Sequence, residues 1–178
     1  VHPTYGTRNV ILPMAHRRYI EVVEPLDHPA TDKAPFGRAV KAACEFGGGW
    51  LGWVVRCMDI EAQAARLGRT PHPGHRVFPD GRRLSWLAFG STELLNDPQL
   101  PIMVRFDNYE LHPSKAVEEE PQVSISGLTI AGDPRRVCDW LGLPAEATSS
   151  VINFTFLAPH STPENPIAAI VEPIKPPK

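Results

Sequence analysis

The sequence predicts an α+β fold built from repeated strand–helix–strand units. The first observation is a helix pattern that begins with Asp and ends with Leu-Gly, found over residues 59–68 and again over residues 133–142. Asp is a favoured helix N-cap, and Gly is favoured in the left-handed position after a helix. The second observation is that an apolar run typical of a strand precedes each pattern, at residues 51–57 and 124–131. Together they predict a supersecondary unit that occurs twice.

The other elements are predicted from short apolar runs between prolines, glycines and polar turns. In the second predicted strand, Tyr19, Glu21 and Val23 point to one side, because side chains alternate along a strand. The remaining predicted elements are strands at residues 8–12 and 19–24, a helix at 36–45, two extended runs joined by the turn at 79–81, and strands at 102–106, 151–157 and 167–172. The order is ββ, then βαβββ, then βαββ. Such sheets can leave a concave face between them, where a small ligand would sit.

Composition and charge exclude several classes of protein. With 42% hydrophobic and 21% charged residues, the chain has the composition of an ordinary globular protein. Its formal net charge of −2 argues against nucleic acid or an anionic membrane surface as a partner. No apolar run is long enough to span a bilayer, and three scattered cysteines are too few for a disulfide framework or a zinc site. These features predict a cytoplasmic protein with free thiols.

A series of short motifs resembles one known family in its order and spacing. Residues 6–9 (Gly-Thr-Arg-Asn) are followed by residues 19–21 (Tyr-Ile-Glu) near the start of the chain. The motifs that follow are Trp53 ahead of Asp59-Ile60, Arg76, Pro79-Asp80-Gly81, Trp86, Pro101-Ile102, His112-Pro113 and the unit at residues 132–142. Over nearly the whole chain, this series resembles the glyoxalase-like domain of the vicinal-oxygen-chelate superfamily.

The resemblance implies paired βαβββ modules that form a cupped mixed sheet around a small-molecule cavity. It also implies that the first strand and helix of the first module would lie upstream of Val1. The chain is then divided into an incomplete paired-module domain at residues 1–113, a charged linker at 114–122, an additional βαββ unit at 123–172 that packs on the same sheet system, and a tail at 173–178.

A divalent metal is the cofactor that the resemblance implies. Enzymes of the superfamily hold the metal with His and Glu side chains from the first and last strands of each module, and such ligands suit Mn, Fe, Ni or Zn. Glu21 matches one ligand position, on the last strand of the first module. The matching positions of the second module fall near Gly52 or Trp53 and at Arg105, none of which is a metal ligand. The metal site is therefore expected to be incomplete.

The candidate site residues follow from the resemblance and from side-chain chemistry. Glu21 is predicted as a metal ligand or general base, with an ion pair to Arg8, Arg76 or Arg105 as the alternative. The predicted ligand-binding residues are Asn9, Trp53, Arg76, Trp86, Arg105 and His112. The alternatives are core positions for the tryptophans, an exposed turn for His112, and a strand charge or a pair with Glu21 for Arg105.

Three functions remain open at this point. The first is a divergent lyase, isomerase or dioxygenase that recognises a small oxygenated or carboxylate-bearing metabolite. The second is a non-catalytic protein that binds or sequesters a small molecule without a metal. The third is a structural dimerisation module. Exposed sheet edges favour a homodimer in each case.

Overall fold

The computed structural model describes residues 1–119, 121–144, 154–157 and 167–173. Their strands form a two-stranded, a four-stranded and a three-stranded sheet. The elements are β1 (Thr7–Met14), β2 (Arg18–Pro25), α1 (Pro29–Lys33), α2 (Pro35–Glu45), β3 (Val54–Arg56), α3 (Ile60–Arg66), β4 (His72–Val77), β5 (Arg83–Phe89), β6 (Ile102–Phe106), β7 (Val123–Ala131), α4 (Pro134–Leu141), β8 (Phe154–Leu157) and β9 (Ile167–Pro173).

Strands β1 and β2 form an antiparallel hairpin in which Ile11 lies opposite Glu21. The turn between them places His16 and Arg17 in the left-handed region, with φ of 60° and 58°. This conformation is uncommon for residues other than glycine, and it produces a tight reversal without a glycine. Side chains alternate along β1, so Asn9 and Ile11 are half-buried on one side while Val10 is exposed on the other. The hairpin therefore has an inner and an outer face.

Two helices follow the hairpin where the sequence predicted one. Helix α2 matches the prediction, whereas α1 has only five residues and carries no apolar periodicity. The buried hydroxyl of Thr31 in α1 donates to the carbonyl oxygen of Gly6 at 2.7 Å. Gly6 has φ of 63°, and any side chain there would overlap Thr31. The close contact fixes the helical segment against the start of β1.

The four-stranded sheet is the predicted βαβββ unit, formed by β3, α3, β4, β5 and β6. Its strand order is β3-β6-β5-β4, with β3 parallel to β6 and the other neighbours antiparallel. The Asp59 carboxylate caps α3 by accepting the amide hydrogen of Ala62 at 3.0 Å. The first and last strands of the unit, β3 and β6, are therefore neighbours, and α3 leads from β3 to β4 at the other edge of the sheet.

The second predicted unit forms the three-stranded sheet. Strand β7 lies between β8, which is parallel to it, and β9, which is antiparallel. The Asp133 carboxylate caps α4 by accepting the amide hydrogen of Arg135, and Gly142 ends the helix with φ of 70°. The start of the predicted strand at 151–157 and all of the predicted tail except Pro173 lie outside the described residues.

The main core lies between the four-stranded sheet and helices α3 and α4. It contains Trp53, Ile60, Phe89, Met103 and Trp140, each at most 7% exposed. The two helices are also joined by polar contacts, because the Gln63 side chain donates to the carbonyl oxygen of Trp140 at 2.8 Å. One face of the sheet is thus covered by helices, and its other face is left to meet the hairpin. Among the described residues, no helix has the length and apolar character needed to cross a membrane.

Candidate functional site

The inner face of the hairpin meets the helix-free face of the four-stranded sheet. The ring of His112, which follows β6, lies 5.5 Å from the ring of Tyr19 on β2 and 4.9 Å from the ring of Phe106 on β6. Farther along, Arg76 on β4 is close enough for its charge to act on Glu21 of β2. We call the surface between these strands the inner face. It is defined by Asn9, Tyr19, Glu21, Arg76, Trp86, Phe106 and His112.

Glu21 is the acidic side chain of this inner face. Its carboxylate accepts a hydrogen bond of 2.5 Å from the amide of Asn9 on the neighbouring strand. Burial raises the pKa of Glu21, while the Asn9 hydrogen bond and the charge of Arg76 act in the opposite direction. The net result is a carboxyl group with a raised pKa in a protein interior, which is a common property of acid–base and ligand-binding groups.

Two buried polar atoms, one on the Asn9 partner of Glu21 and one close enough to feel the charge of Arg76, have no hydrogen-bond partner among the described residues. They are Oδ1 of Asn9 and Nδ1 of His2. The pKa of His2 is lowered to about 4 by burial first, then by the terminal amino group and by Arg76. His2 is therefore neutral at pH 7, and its ring has one donor and one acceptor nitrogen. Buried polar groups are nearly always hydrogen-bonded, so these atoms are suited to contact a polar ligand.

Arg76 and Trp86 form the opposite wall. Gly74 lies opposite Trp86 in the β4–β5 pairing, and a side chain at Gly74 would overlap the indole ring. The glycine therefore lets the indole lie against β4 beside Arg76. Trp86 also packs on Phe106, with ring centroids 5.9 Å apart. Arg76 forms no salt bridge within the described part of the chain. Its charge is available to an anionic group.

His112 is buried at the other end of the inner face, at 7% exposure. The alternative of an exposed turn residue is therefore wrong. Its Nδ1 lies 2.8 Å from the Ser114 hydroxyl and accepts the Ser114 amide hydrogen at 3.2 Å, which places the ring proton on Nε2. The ring also stacks on Tyr109 at 5.4 Å. Burial first, then Arg56 and Arg17, lowers the pKa of His112 to about 4. This histidine is neutral at pH 7.

Two predicted ligand-binding residues lie on the helix-covered face instead. The indole N–H of Trp53 donates to the carbonyl oxygen of Gln99 at 2.9 Å, and the ring is part of the main core. Arg105 forms a salt bridge with Glu61 of α3 at 2.7 Å. The alternative pair between Arg105 and Glu21 is thereby contradicted. Alternation along β6 explains the placement, because the neighbours of Arg105 belong to the inner face.

The structure thus brings together five of the predicted residues: Asn9, Glu21, Arg76, Trp86 and His112. It also places Tyr19 and Phe106 on the inner face, and His2, Arg56 and Tyr109 close to Arg76 or His112. The sequence analysis selected none of these five. Tyr19 could have been found, because it shares a strand face with Glu21. Burial raises the pKa of Tyr19, and the negative charge of Glu21 adds to that effect. Tyr19 lies between the two ends of the inner face, because it is affected by the charge of Glu21 and its ring contacts the ring of His112.

The side chains around Glu21 do not fit a divalent metal. No group of three or more His, Cys, Asp or Glu with suitable spacing occurs in the described residues. The neighbours of Glu21 are the Asn9 amide and the positive charge of Arg76, and a cation beside the site opposes metal binding. His72 and His75 are three residues apart on β4, so they lie on opposite faces of that strand. The side chains around Glu21 are therefore suited to an organic ligand rather than to a metal ion.

A cleft of about 450 Å³ lies away from Glu21, at the start of α1. Several of its polar side chains already have partners, since Lys41 pairs with Asp32 at 2.7 Å and His28 caps α1. A small cavity of about 50 Å³ lies beside Tyr109 and His112. Volume alone would favour the first cleft. The inner face, however, carries the unpaired Asn9 oxygen and the Glu21 carboxyl group with its raised pKa.

The fold and the inner face define a βαβββ-based α+β protein with a polar surface enclosed between two sheets. The family model described as a glyoxalase-like domain matches residues 1–143. The chain belongs to this family of glyoxalase-like domains, within the vicinal-oxygen-chelate superfamily. The match confirms the resemblance and the predicted α+β class. Neither the curated proteins nor the solved structures contain a match.

Proposed function

We propose that the inner face binds a small oxygenated metabolite that carries a carboxylate group. The observation that supports this most directly is Arg76, a cation without a salt bridge in the described residues, beside the buried Glu21–Asn9 pair. A guanidinium group binds a carboxylate through two parallel hydrogen bonds. Trp86 and Phe106 provide an apolar wall for the rest of the molecule.

Binding of a carboxylate ligand changes the protonation state of Glu21. A ligand carboxylate beside Arg76 adds a negative charge next to Glu21, and that charge raises the pKa of Glu21 further. Glu21 then takes up a proton and donates a hydrogen bond to a ligand oxygen, while Asn9 keeps its position through the hydrogen bond between the two side chains. Binding of the anion is therefore coupled to proton uptake.

The test uses benzoate as the probe and benzamide as its neutral counterpart. Amide chemical shifts are followed in ¹⁵N-labelled protein, and saturable shifts with benzoate alone are expected at residues of the inner face. The substitution Arg76→Gln should weaken benzoate at least tenfold. Arg83→Gln makes the same charge change on exposed Arg83 of β5 and is the matched control. Equal weakening in both variants, or no saturable shift, would refute the proposal.

A divergent isomerase or lyase is the second candidate, because the raised pKa of Glu21 suits a general acid–base group. In this alternative, ionised Glu21 removes a proton from the carbon next to a ligand carbonyl, and the enolate oxygen takes the negative charge. The carbon then recovers a proton from Glu21. The assay incubates 2-oxobutanoate with the protein in D₂O and follows loss of the C3 proton signal. Exchange that Glu21→Gln abolishes supports catalysis, and no exchange leaves binding without catalysis.

Cytoplasmic location and homodimer formation also remain proposals. No disulfide bond joins the three cysteines, all of which lie among the described residues, and this is compatible with a reducing compartment. On the outer face of the hairpin, Val10 and Val22 are paired across the strands and are 72% and 67% exposed. Exposed apolar side chains of this kind support an interface with a second copy of the chain.

A further inference from the structure

A second polar cleft lies beside Tyr109, separate from the Glu21 end of the inner face. Its cavity of about 50 Å³ is lined by Arg17, Tyr109, Glu110, His112, Ser114 and Lys115. We call it the Tyr109 cleft. It is formed where the turn of the β1–β2 hairpin meets the segment after β6. The proposed function does not use it.

Positive charge converges on this cleft from three separate segments. The guanidinium carbon of Arg56 lies 5.6 Å from the centre of the Tyr109 ring, and that of Arg17 lies 6.0 Å from it. Lys115 lines the cavity as well. Neither arginine forms a salt bridge within the described residues, and the single carboxylate of the cleft is that of Glu110.

The two arginines contact the Tyr109 ring favourably, but the three cations also repel one another. Like charges repel, and the repulsion is stronger near a protein surface than in bulk water. Arg17 is also held in the left-handed region, at φ of 58°, by the turn that brings it to the cleft. Strained backbone that brings a charged side chain to a cavity is common at ligand-binding positions. An anion in the cleft would remove much of the charge repulsion.

Uncharged donors complete the cleft. The Tyr109 hydroxyl is buried and has no hydrogen-bond partner among the described residues. The neutral ring of His112 carries its proton on Nε2, because Nδ1 accepts the Ser114 amide hydrogen. A phenol O–H cannot leave the interior without moving the ring, which is stacked on His112. The Tyr109 hydroxyl is thus held in place without a partner among the described residues, and its hydrogen can be donated to a ligand oxygen.

We propose that the Tyr109 cleft binds a phosphate group, held by Arg17 and Arg56 with the Tyr109 hydroxyl as a further donor. Arg17 and Lys115 line the cleft, and Arg56 lies beside it over the Tyr109 ring. Against the one carboxylate of Glu110, these three cations favour a doubly charged anion over a carboxylate. Planar guanidinium groups match the oxygen spacing of phosphate. The small cavity admits inorganic phosphate or the terminal phosphoryl group of a metabolite, with the rest of that metabolite outside.

The test titrates sodium phosphate into ¹⁵N-labelled protein at pH 7, with sodium chloride at the same ionic strength as the reference. Saturable shifts of the Tyr109, His112 and Ser114 amides are expected with phosphate alone. Arg56→Gln should weaken the apparent affinity at least tenfold, and Tyr109→Phe should weaken it severalfold. The control Arg83→Gln should leave the affinity within twofold. If Arg56→Gln fails to fold, Arg17→Gln in the exposed turn tests the same contact.

A second titration with glycerol 3-phosphate distinguishes the source of the group. Binding as tight as that of inorganic phosphate, or tighter, assigns the cleft to a phosphorylated metabolite. Binding of inorganic phosphate alone assigns it to the free ion. The proposal is overturned if phosphate and chloride give the same shifts at equal ionic strength. It is also overturned if Arg56→Gln and Arg83→Gln weaken phosphate equally, which would show a general charge effect.

Discussion

Replacing Trp53 with phenylalanine tests which face of the four-stranded sheet faces the ligand. The indole N–H of Trp53 donates to the carbonyl oxygen of Gln99 at 2.9 Å, and the side chain is 7% exposed in the core. Phenylalanine removes that donor and leaves the carbonyl without it, at a cost of about 1–3 kcal/mol. The smaller ring adds a packing loss. Against a total stability of about 5–15 kcal/mol, this is a large but tolerable effect, whereas alanine would cost about 3–5 kcal/mol.

The assay for Trp53→Phe combines urea denaturation, followed by circular dichroism, with the benzoate titration. We expect a lower midpoint and an unchanged affinity for benzoate. The matched substitution Trp86→Phe should show the opposite pattern, because Trp86 is half-buried on the inner face. If Trp53→Phe weakened benzoate tenfold with a stability change under about 0.5 kcal/mol, the assignment of the helix-free face as the binding face would be refuted.

Three further predictions concern charge, hydration and association. The raised pKa of Glu21 means that the folded state binds its proton more tightly than the unfolded chain, so wild-type stability falls as pH rises through the folded pKa. Urea denaturation should therefore show Glu21→Gln to be more stable than wild type at pH 7, with the difference vanishing at pH 4. Tyr109→Phe removes a buried hydroxyl without a partner, so in phosphate-free buffer its stability should match wild type or exceed it by up to about 1 kcal/mol. Val22→Lys places a charge on the exposed apolar face of the hairpin and should shift the protein from dimer to monomer in sedimentation velocity, whereas a wild-type monomer would contradict this interface.

The elements that could be predicted from the sequence are those with strong local signals. Asp59 and Asp133 cap α3 and α4 as expected, because an Asp side chain satisfies a helix N-terminus without help from the rest of the fold. Helix α1 was missed because five residues, Pro-Ala-Thr-Asp-Lys, carry no apolar periodicity. Its position depends on the Thr31 hydrogen bond to Gly6, a contact between residues far apart in sequence.

The site could be predicted only in part, because the face on which a strand residue lies depends on sheet register. Trp53 and Arg105 have suitable chemistry, but Trp53 packs into the main core, and Arg105, opposite Leu87 on β5, pairs with Glu61 of α3. His112 is predicted as a ligand-binding residue, and the alternative of an exposed turn follows from its His-Pro dipeptide. Its burial depends on Tyr19 and Phe106, which come from two other elements. A local signal of turn chemistry gives no information about such packing.

Glu21 is the acidic group of the inner face whose pKa is raised, so we assign to it the pH dependence of that face above the ordinary carboxylate range. His2 and His112 both have pKa values lowered to about 4. Each binds a proton more weakly in the folded state than in the unfolded chain. Their effect on stability is therefore a loss as pH falls below about 6.5, the ordinary value for histidine. Neither ring changes charge between pH 6 and 8, whereas the raised pKa of Glu21 moves its titration toward that range.

The pH dependence of benzoate binding therefore tests this assignment. Affinity should fall as pH rises through the Glu21 pKa, because ionised Glu21 repels the ligand carboxylate and competes for Arg76. Glu21→Gln should give an affinity that is nearly independent of pH, and His112→Gln should retain the wild-type profile. A flat wild-type profile, or one that His112→Gln abolishes, would mean that a different group controls the charge of the site. The proton uptake proposed for Glu21 would then be wrong, even if Arg76 still bound the carboxylate.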